Sequence, residues 1–286
     1  MIVVTGATGQ LGRLVVDHLL RRGVPAGEVV AAVRAPERAA GLAARGVVVR
    51  EADYDRPDTL APAFAGADKL LFVSSSGPDD LRVPQHRAVV EAAQAAGAGL
   101  VAYTSIVNAG ANPLSLARVH RATEKFLAAS GLPTVLVRNN WYTENRTAGL
   151  AAAVEHGAIA GSAGAGRIAS ASRADFAEAA AVVLTSDVAA GAVYELTGDT
   201  AWSLPEFAAE VSAASGREVA YTDLPPERYA DLLAGAGVPG FMVEALVDAD
   251  VRTAEGALAH VTTDLSDLLG RPTTPLAETV AEALKG

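Results

Sequence analysis

The stretch that most constrains this chain is GATGQLG, residues 6–12, which follows the β-branched and apolar run MIVVT and leads into QLGRLVVDHLLRRG. In that second segment Leu11, Leu14, Val15, His18 and Leu19 recur at helical spacing, so the glycines occupy a strand-to-helix turn. Gly6 permits a tight turn, Gly9 lets the backbone approach a pyrophosphate, and Gly12 allows helix to pack closely on strand. The amides that open the helix face an anion. The first two glycines are three apart, not two as in the common G-x-G-x-x-G pattern. A plain turn explains one glycine, whereas three at this spacing in a first βα unit point to a dinucleotide. Gly6, Ala7, Thr8, Gly9, Gln10, Leu11 and Gly12 are therefore the expected phosphate cradle.

The rhythm set by this unit continues. Strand-like runs at 29–34, 47–53, 69–75, 100–106 and 134–139 alternate with helical stretches near 36–45, 57–66, 84–96 and 115–130. Continuous apolar strands separated by amphipathic helices predict an α/β fold with a doubly wound parallel Rossmann sheet, whose ligands sit at the carboxyl ends of the strands. After about residue 147 the pattern changes to an Ala/Gly-rich stretch and then to Pro-punctuated helices at 204–215, 225–236, 239–248 and 275–285. The expected division is a dinucleotide-binding domain over 1–147 and a smaller, mainly helical substrate lobe over 148–286, with a strand near 192–198 returning to the sheet.

Half of the residues are apolar but only 5% aromatic, so the hydrophobicity comes from Ala, Val and Leu. A net charge of −10 argues against a nucleic-acid partner, which would require Lys and Arg against phosphates. No apolar run has membrane length and Met1 leads directly into a strand, so neither a membrane span nor a signal peptide is expected and the location is read as cytoplasmic. The absence of cysteine excludes disulfides and thiolate chemistry. The scattered histidines offer no metal motif, and no G-x-S-x-G elbow occurs.

The ends of the strands supply the candidate site residues. Strand two ends at Arg34, where an NAD site carries an acid for the ribose hydroxyls. Arg34 can pair with a 2′-phosphate, with Arg38 one helical turn on, which predicts NADPH. A solvated arginine partly neutralised by Glu37 is the alternative. Asp53 could meet the adenine amino group or cap a helix. Ser74, Ser75 and Ser76 after strand four, and Thr104 and Ser105 in strand five, are small enough to pass close to the nicotinamide ribose; otherwise they form turns. Lys125 could bind the ribose or be a surface lysine. Strand six ends in Asn139 and Asn140, followed by Trp141 and Tyr142, which could stack on a flat ligand unless the tryptophan is core. The Tyr-x-x-x-Lys pair of short-chain reductases is missing. Arg121 stands four residues before Lys125, and none of the six tyrosines has a lysine four residues on.

Together GATGQLG, Arg34, ADY, KLLFVSSS, PQHR, YTSI, TEK, RNNWYTEN, GRIASASRADFAEAAA, VYELTGD and AWSL resemble the bacterial NADPH:quinone oxidoreductases of the NmrA-like group, an atypical branch of the short-chain dehydrogenases. The resemblance spans nearly the whole chain. It implies a flavin-free reductase with NADPH as cofactor, a quinone as substrate and direct hydride transfer, with Asn140 and Tyr142 as the groups that orient or polarise the quinone oxygen. Other NmrA-like members bind dinucleotide as redox sensors without catalysis and act on a protein partner, which is the alternative. The missing tyrosine fits a quinone and a non-catalytic sensor about equally, and counts against carbonyl reduction. Reducing a ketone leaves an alkoxide with a conjugate-acid pKa of roughly 15.7, whereas a quinone leaves a phenolate-like oxygen near about 10. The gap lowers the need for a proton donor by about 7 to 8 kcal/mol.

Overall fold

The computed structural model describes residues 1–285. The strands are β1 (Ile2–Thr5), β2 (Val29–Val33), β3 (Val48–Glu51), β4 (Lys69–Phe72), β5 (Leu100–Ile106), β6 (Thr134–Asn139), β7 (Ala158–Gly161), β8 (Arg167–Ile168), β9 (Val193–Leu196), β10 (Trp202–Ser203) and β11 (Ala220–Asp223). The helices are α1 (Gln10–Arg21), α2 (Ala40–Ala43), α3 (Leu60–Phe64), α4 (Asp79–Ala95), α5 (Ala117–Ser130), α6 (Glu144–Thr147), α7 (Leu150–His156), α8 (Arg173–Thr185), α9 (Leu204–Ser215), α10 (Pro226–Gly235), α11 (Gly240–Ala254), α12 (Asp264–Leu269) and α13 (Leu276–Ala283). No helix among the described residues is long and apolar enough to cross a membrane.

Seven strands form a parallel sheet in the order β3-β2-β1-β4-β5-β6-β9. The order reverses between β1 and β4, and ligands of doubly wound sheets bind at the carboxyl ends beside that reversal. Val29–Val33 and Leu100–Ile106 are buried along their whole length, as strands covered on both faces must be. One face of the sheet packs Phe64, Phe72, Val89, Tyr103 and Leu127 into a continuous core.

Two compact units make up the chain. The first contains residues 1–109, 118–139 and 173–195; the second contains 110–117, 140–172 and the residues from 196 onward. The division does not fall at residue 147. Helix α8 belongs to the first unit because its apolar side chains pack on α1, and β9 follows it to lie beside β6, as the strand expected near 192–198 does. The second unit holds two short sheets, β10-β8 and β11-β7, besides its helices. Its Ala/Gly-rich segment contributes α7, β7 and β8.

Two local differences from the sequence-based expectations bear on the site. Helix α4 starts at Asp79, ahead of the expected position 84, and continues through Pro84. Asp79 and Asp80 in its first turn complement the helix dipole, and the path places Arg82 and His86 one turn apart on one face. Strand β4 ends at Phe72, three residues before the expected end, because the next three amides turn to side chains.

Candidate functional site

The β1–β2 corner is an open cradle. Gly6 has a φ of +58°, the left-handed region in which a Cβ is strained. A Cβ on Gly12 would stand 2.4 Å from the Gly6 carbonyl oxygen, and one on Gly9 would stand 3.1 Å from the same atom. The Gly9 amide donates to that carbonyl at 2.8 Å and closes the turn. The amides of Gln10, Leu11 and Gly12 open α1 with no carbonyl four residues back to accept them. No acidic residue lies in the first turn of α1, so no carboxylate of that turn competes for the helix's anion-binding end. Gly6, Gly9 and Gln10 are exposed, Thr8 is half-buried, and Ala7, Leu11 and Gly12 pack inward. This donor set, with two positions a Cβ would crowd, fits a pyrophosphate.

In the parallel register Thr5, the last residue of β1, pairs with Ala32, and Arg34 follows just after the end of β2. Arg34 and Arg38 are exposed. Among the described residues neither side chain makes a hydrogen bond or ion pair, and Glu37 neutralises neither. Lys125 on α5 is likewise exposed and without a partner among the described residues.

The ends of β4 and β5 are different, because their polar groups are committed to the protein. The amides of Val73, Ser74 and Ser75 donate to Thr5 Oγ1 (2.9 Å), Thr104 Oγ1 (2.9 Å) and His86 Nε2 (3.0 Å). Thr5 Oγ1 in turn donates to the Leu71 carbonyl at 3.1 Å, and the Tyr54 hydroxyl lies 2.6 Å from it. Burial raises the Tyr54 pKa, so this phenol stays neutral. Ser105 Oγ donates to Glu124 Oε1 at 2.6 Å, and Arg138 grips Glu124 through Nε (2.9 Å) and Nη2 (2.7 Å) while reaching Glu195 at 2.6 Å. Hydrogen bonds to Glu124 and Glu195 raise the Arg138 pKa, which secures its charge. The Ser75 hydroxyl lies 3.0 Å from His86 Nε2. Only Ser76 of the three serines is exposed.

The Asp53 carboxylate organises its own turn. Oδ1 accepts the Asp55 amide at 3.1 Å and Oδ2 meets Arg56 Nε at 3.4 Å, while the helical turns that follow have Arg56 and Thr59 at their N-caps. Asn139, the last residue of β6, is buried, and its carbonyl accepts the Val107 amide at 3.0 Å.

In the second unit Asn140 is 5% exposed. Its Nδ2 donates to the Leu258 carbonyl at 3.2 Å and its Oδ1 accepts the Trp141 amide at 2.8 Å. Both ends of this amide thus meet the backbone in this structure. Trp141 is 7% exposed, and its indole Nε1 is buried with no hydrogen-bond partner among the described residues. Tyr142 is half-buried, bridged through its backbone to Ala171. Among the described residues no cluster of His, Cys, Asp or Glu could hold a metal.

The residues that sequence reasoning missed are Thr5, His86 and Thr123, which tether the turn after β4. The signals were a threonine ending the first strand and a histidine one helical turn after an arginine. Neither is specific alone.

Residues 6–187 match the model of the NAD(P)H-binding family. Quinone oxidoreductase 2 of Escherichia coli (strain K12) is 48% identical over 281 residues, 98% of each chain. A crystal structure of an E. coli NADPH-dependent quinone oxidoreductase complexed with NADPH superposes with a TM-score of 0.95 at 48% identity, covering 99% of this chain and 100% of the other. The Citrobacter sp. triphenylmethane reductase complexed with NADP(H) reaches a TM-score of 0.95 at 40% identity, with 99% and 100% covered. The chain belongs to the NAD(P)H-binding family and, within it, to the group of the E. coli quinone oxidoreductase.

Proposed function

We infer that the protein is a flavin-free NADPH-dependent quinone oxidoreductase that moves a hydride directly from nicotinamide to a quinone. The observation that carries this reading is the glycine cradle at the start of α1, with Arg34 ending the next strand, in a chain whose helix α5 has Arg121 and not a tyrosine four residues before Lys125, which disfavours carbonyl reduction. The 48% identity to the E. coli quinone oxidoreductase over nearly full length supports the same acceptor class. The absence of cysteine fits a reducing, cytoplasmic setting.

Bound NADPH supplies the hydride. The chain's own residues bind and orient. Gly6, Gly9 and the opening amides of α1 take the pyrophosphate, and Arg34, with Arg38, takes the 2′-phosphate. The backbone of Ser74–Ser76 lines the nicotinamide side, with Thr104, Ser105 and Asn139 as its supports. Lys125 offers a donor to the ribose. Tyr142 remains the side chain assigned to the quinone oxygen, and Asn140 and Trp141 hold the chain on which it stands. No group with a pKa matched to protonating an alkoxide is required, since the product oxygen is phenolate-like.

The test is NADPH consumption on adding a simple benzoquinone to flavin-free protein, corrected for the uncatalysed reaction. Saturable turnover is expected. Tight NADPH binding without turnover across several quinones would overturn the reading in favour of a dinucleotide sensor.

A further inference from the structure

His86 is fully buried in α4 and reaches no ligand itself. It does reach the turn that the proposed function places beside the nicotinamide, and two independent constraints fix its proton. The Ser75 amide can only donate, so Nε2, 3.0 Å away, must accept. On the other side of the ring Thr123 Oγ1 donates to the Val119 carbonyl at 2.8 Å, so toward Nδ1 at 2.7 Å it must accept, and Nδ1 carries the hydrogen. Both constraints give the same tautomer. The Ser75 hydroxyl also points at Nε2, at 3.0 Å, so one nitrogen gathers both donors of a single residue.

The surroundings keep the ring neutral. Arg82 lies one turn earlier on the same helix. Phe72 and Tyr103 face the ring from the sheet, with centroids 5.0 Å and 5.9 Å away. From α5 come Thr123 and, on the far side of Tyr103, His120, whose Nδ1 is 2.8 Å from the Tyr103 hydroxyl. Burial, reinforced by Arg82, lowers the His86 pKa to about 3, and His120 is pushed down by burial in the same way. Burial also lowers the pKa of Arg82 and raises that of Tyr103. An imidazolium at position 86 would set an N–H against the Ser75 amide.

Resting on the reductase reading, we propose that His86, locked as the Nδ1–H tautomer between Thr123 and Ser75, is the positioning residue for the Ser74–Ser76 turn. Val73 and Ser74 are held by threonines of neighbouring strands, and Ser75 is held by α4. His86 therefore sets the height of the turn above the sheet edge. A displacement of about 1 Å at such a distance from the chemistry is enough to slow turnover by roughly a hundredfold.

Nuclear magnetic resonance of 15N-labelled, nucleotide-free wild type tests this directly. Only Nδ1 of His86 should carry a proton, and a scalar coupling should cross the N–H···N bond from the Ser75 amide to Nε2, both unchanged from about pH 8 to about pH 5. An Nε2–H ring or an absent coupling would overturn the proposal. In kinetics, His86→Phe should lower kcat roughly ten- to a hundredfold while the Kd for NADPH changes by less than about threefold, and His86→Gln, which restores an acceptor, should recover most of the loss. A kcat equal to wild type in His86→Phe would also overturn it, because a packing role needs no acceptor. If His86→Phe does not fold, the wild-type coupling decides alone. A wild type that consumes no NADPH with quinones would sink the functional reading, while the tautomer and coupling would still judge His86.

Discussion

At the β1–β2 corner the polar groups face outward: the opening amides of α1 lack intrahelical acceptors, and Arg34 has no partner among the described residues. At the ends of β4, β5 and β6, and in the residues just after them, similarly small and polar side chains are turned inward. Ser75 is held by His86, Ser105 by Glu124, and Asn140 by Leu258 and the Trp141 amide. The first region presents exposed donors that no group of the described protein occupies, open to water or to a ligand. The second satisfies its own groups and offers a ligand a fixed backbone. A hydroxyl near a cofactor is thus not by itself a cofactor contact, and its partner decides.

The comparison can be broken from the inward-facing side. Trp141→Ala should cost about 3 to 5 kcal/mol of stability, as for a large core aromatic, measured by denaturant unfolding; unchanged stability with a raised KM for quinone would return Trp141 to the ligand-facing class. Thr5→Val keeps the shape but strands the Val73 amide and the Tyr54 hydroxyl, and should cost about 1 to 3 kcal/mol. A variant as stable as wild type would show that the turn after β4 is not tethered there. Acid should act through His86. The unfolded chain binds a proton near the ordinary value of 6.5 and the folded chain only near about 3. Stability from this group is therefore complete above pH 6.5 and is lost as pH falls toward about 3, by about 1.4 kcal/mol per pH unit within the window. His86→Gln should remove His86's share of that slope in urea titrations at stepped pH and leave the share of the buried His120; an unchanged slope would contradict a neutral His86.

The corner was legible in the sequence because its chemistry is local. Three glycines, a preceding apolar run and an arginine at the next strand's end lie within one βαβ unit, and the physical reasons for them need no distant partner. The inward-facing region was not legible, since its pairs join Thr5 to Val73, Thr104 to Ser74 and His86 to Ser75 across 68, 30 and 11 residues. Sequence periodicity carried β4 to residue 75, yet the ladder stops at Phe72 because those side chains outcompete neighbouring strands for the amides. Helix α4 was expected only near 84–96. The two acids at its true start were the overlooked signal. The return of α8 to α1 rests on packing between segments about 160 residues apart, which no local pattern announces.

The most direct measurement is the ratio of the Kd for NADH to the Kd for NADPH in the wild type, Arg34→Ala and His86→Phe, by nucleotide fluorescence titration. An arginine–phosphate contact is worth roughly 1.5 to 3 kcal/mol, so the wild-type ratio should be about ten to a hundred, Arg34→Ala should bring it close to one, and His86→Phe should leave it at the wild-type value. A wild-type ratio near one, or a ratio that collapses in His86→Phe and survives in Arg34→Ala, would contradict the division between an outward-facing corner that selects the cofactor and an inward-facing edge that holds the turn.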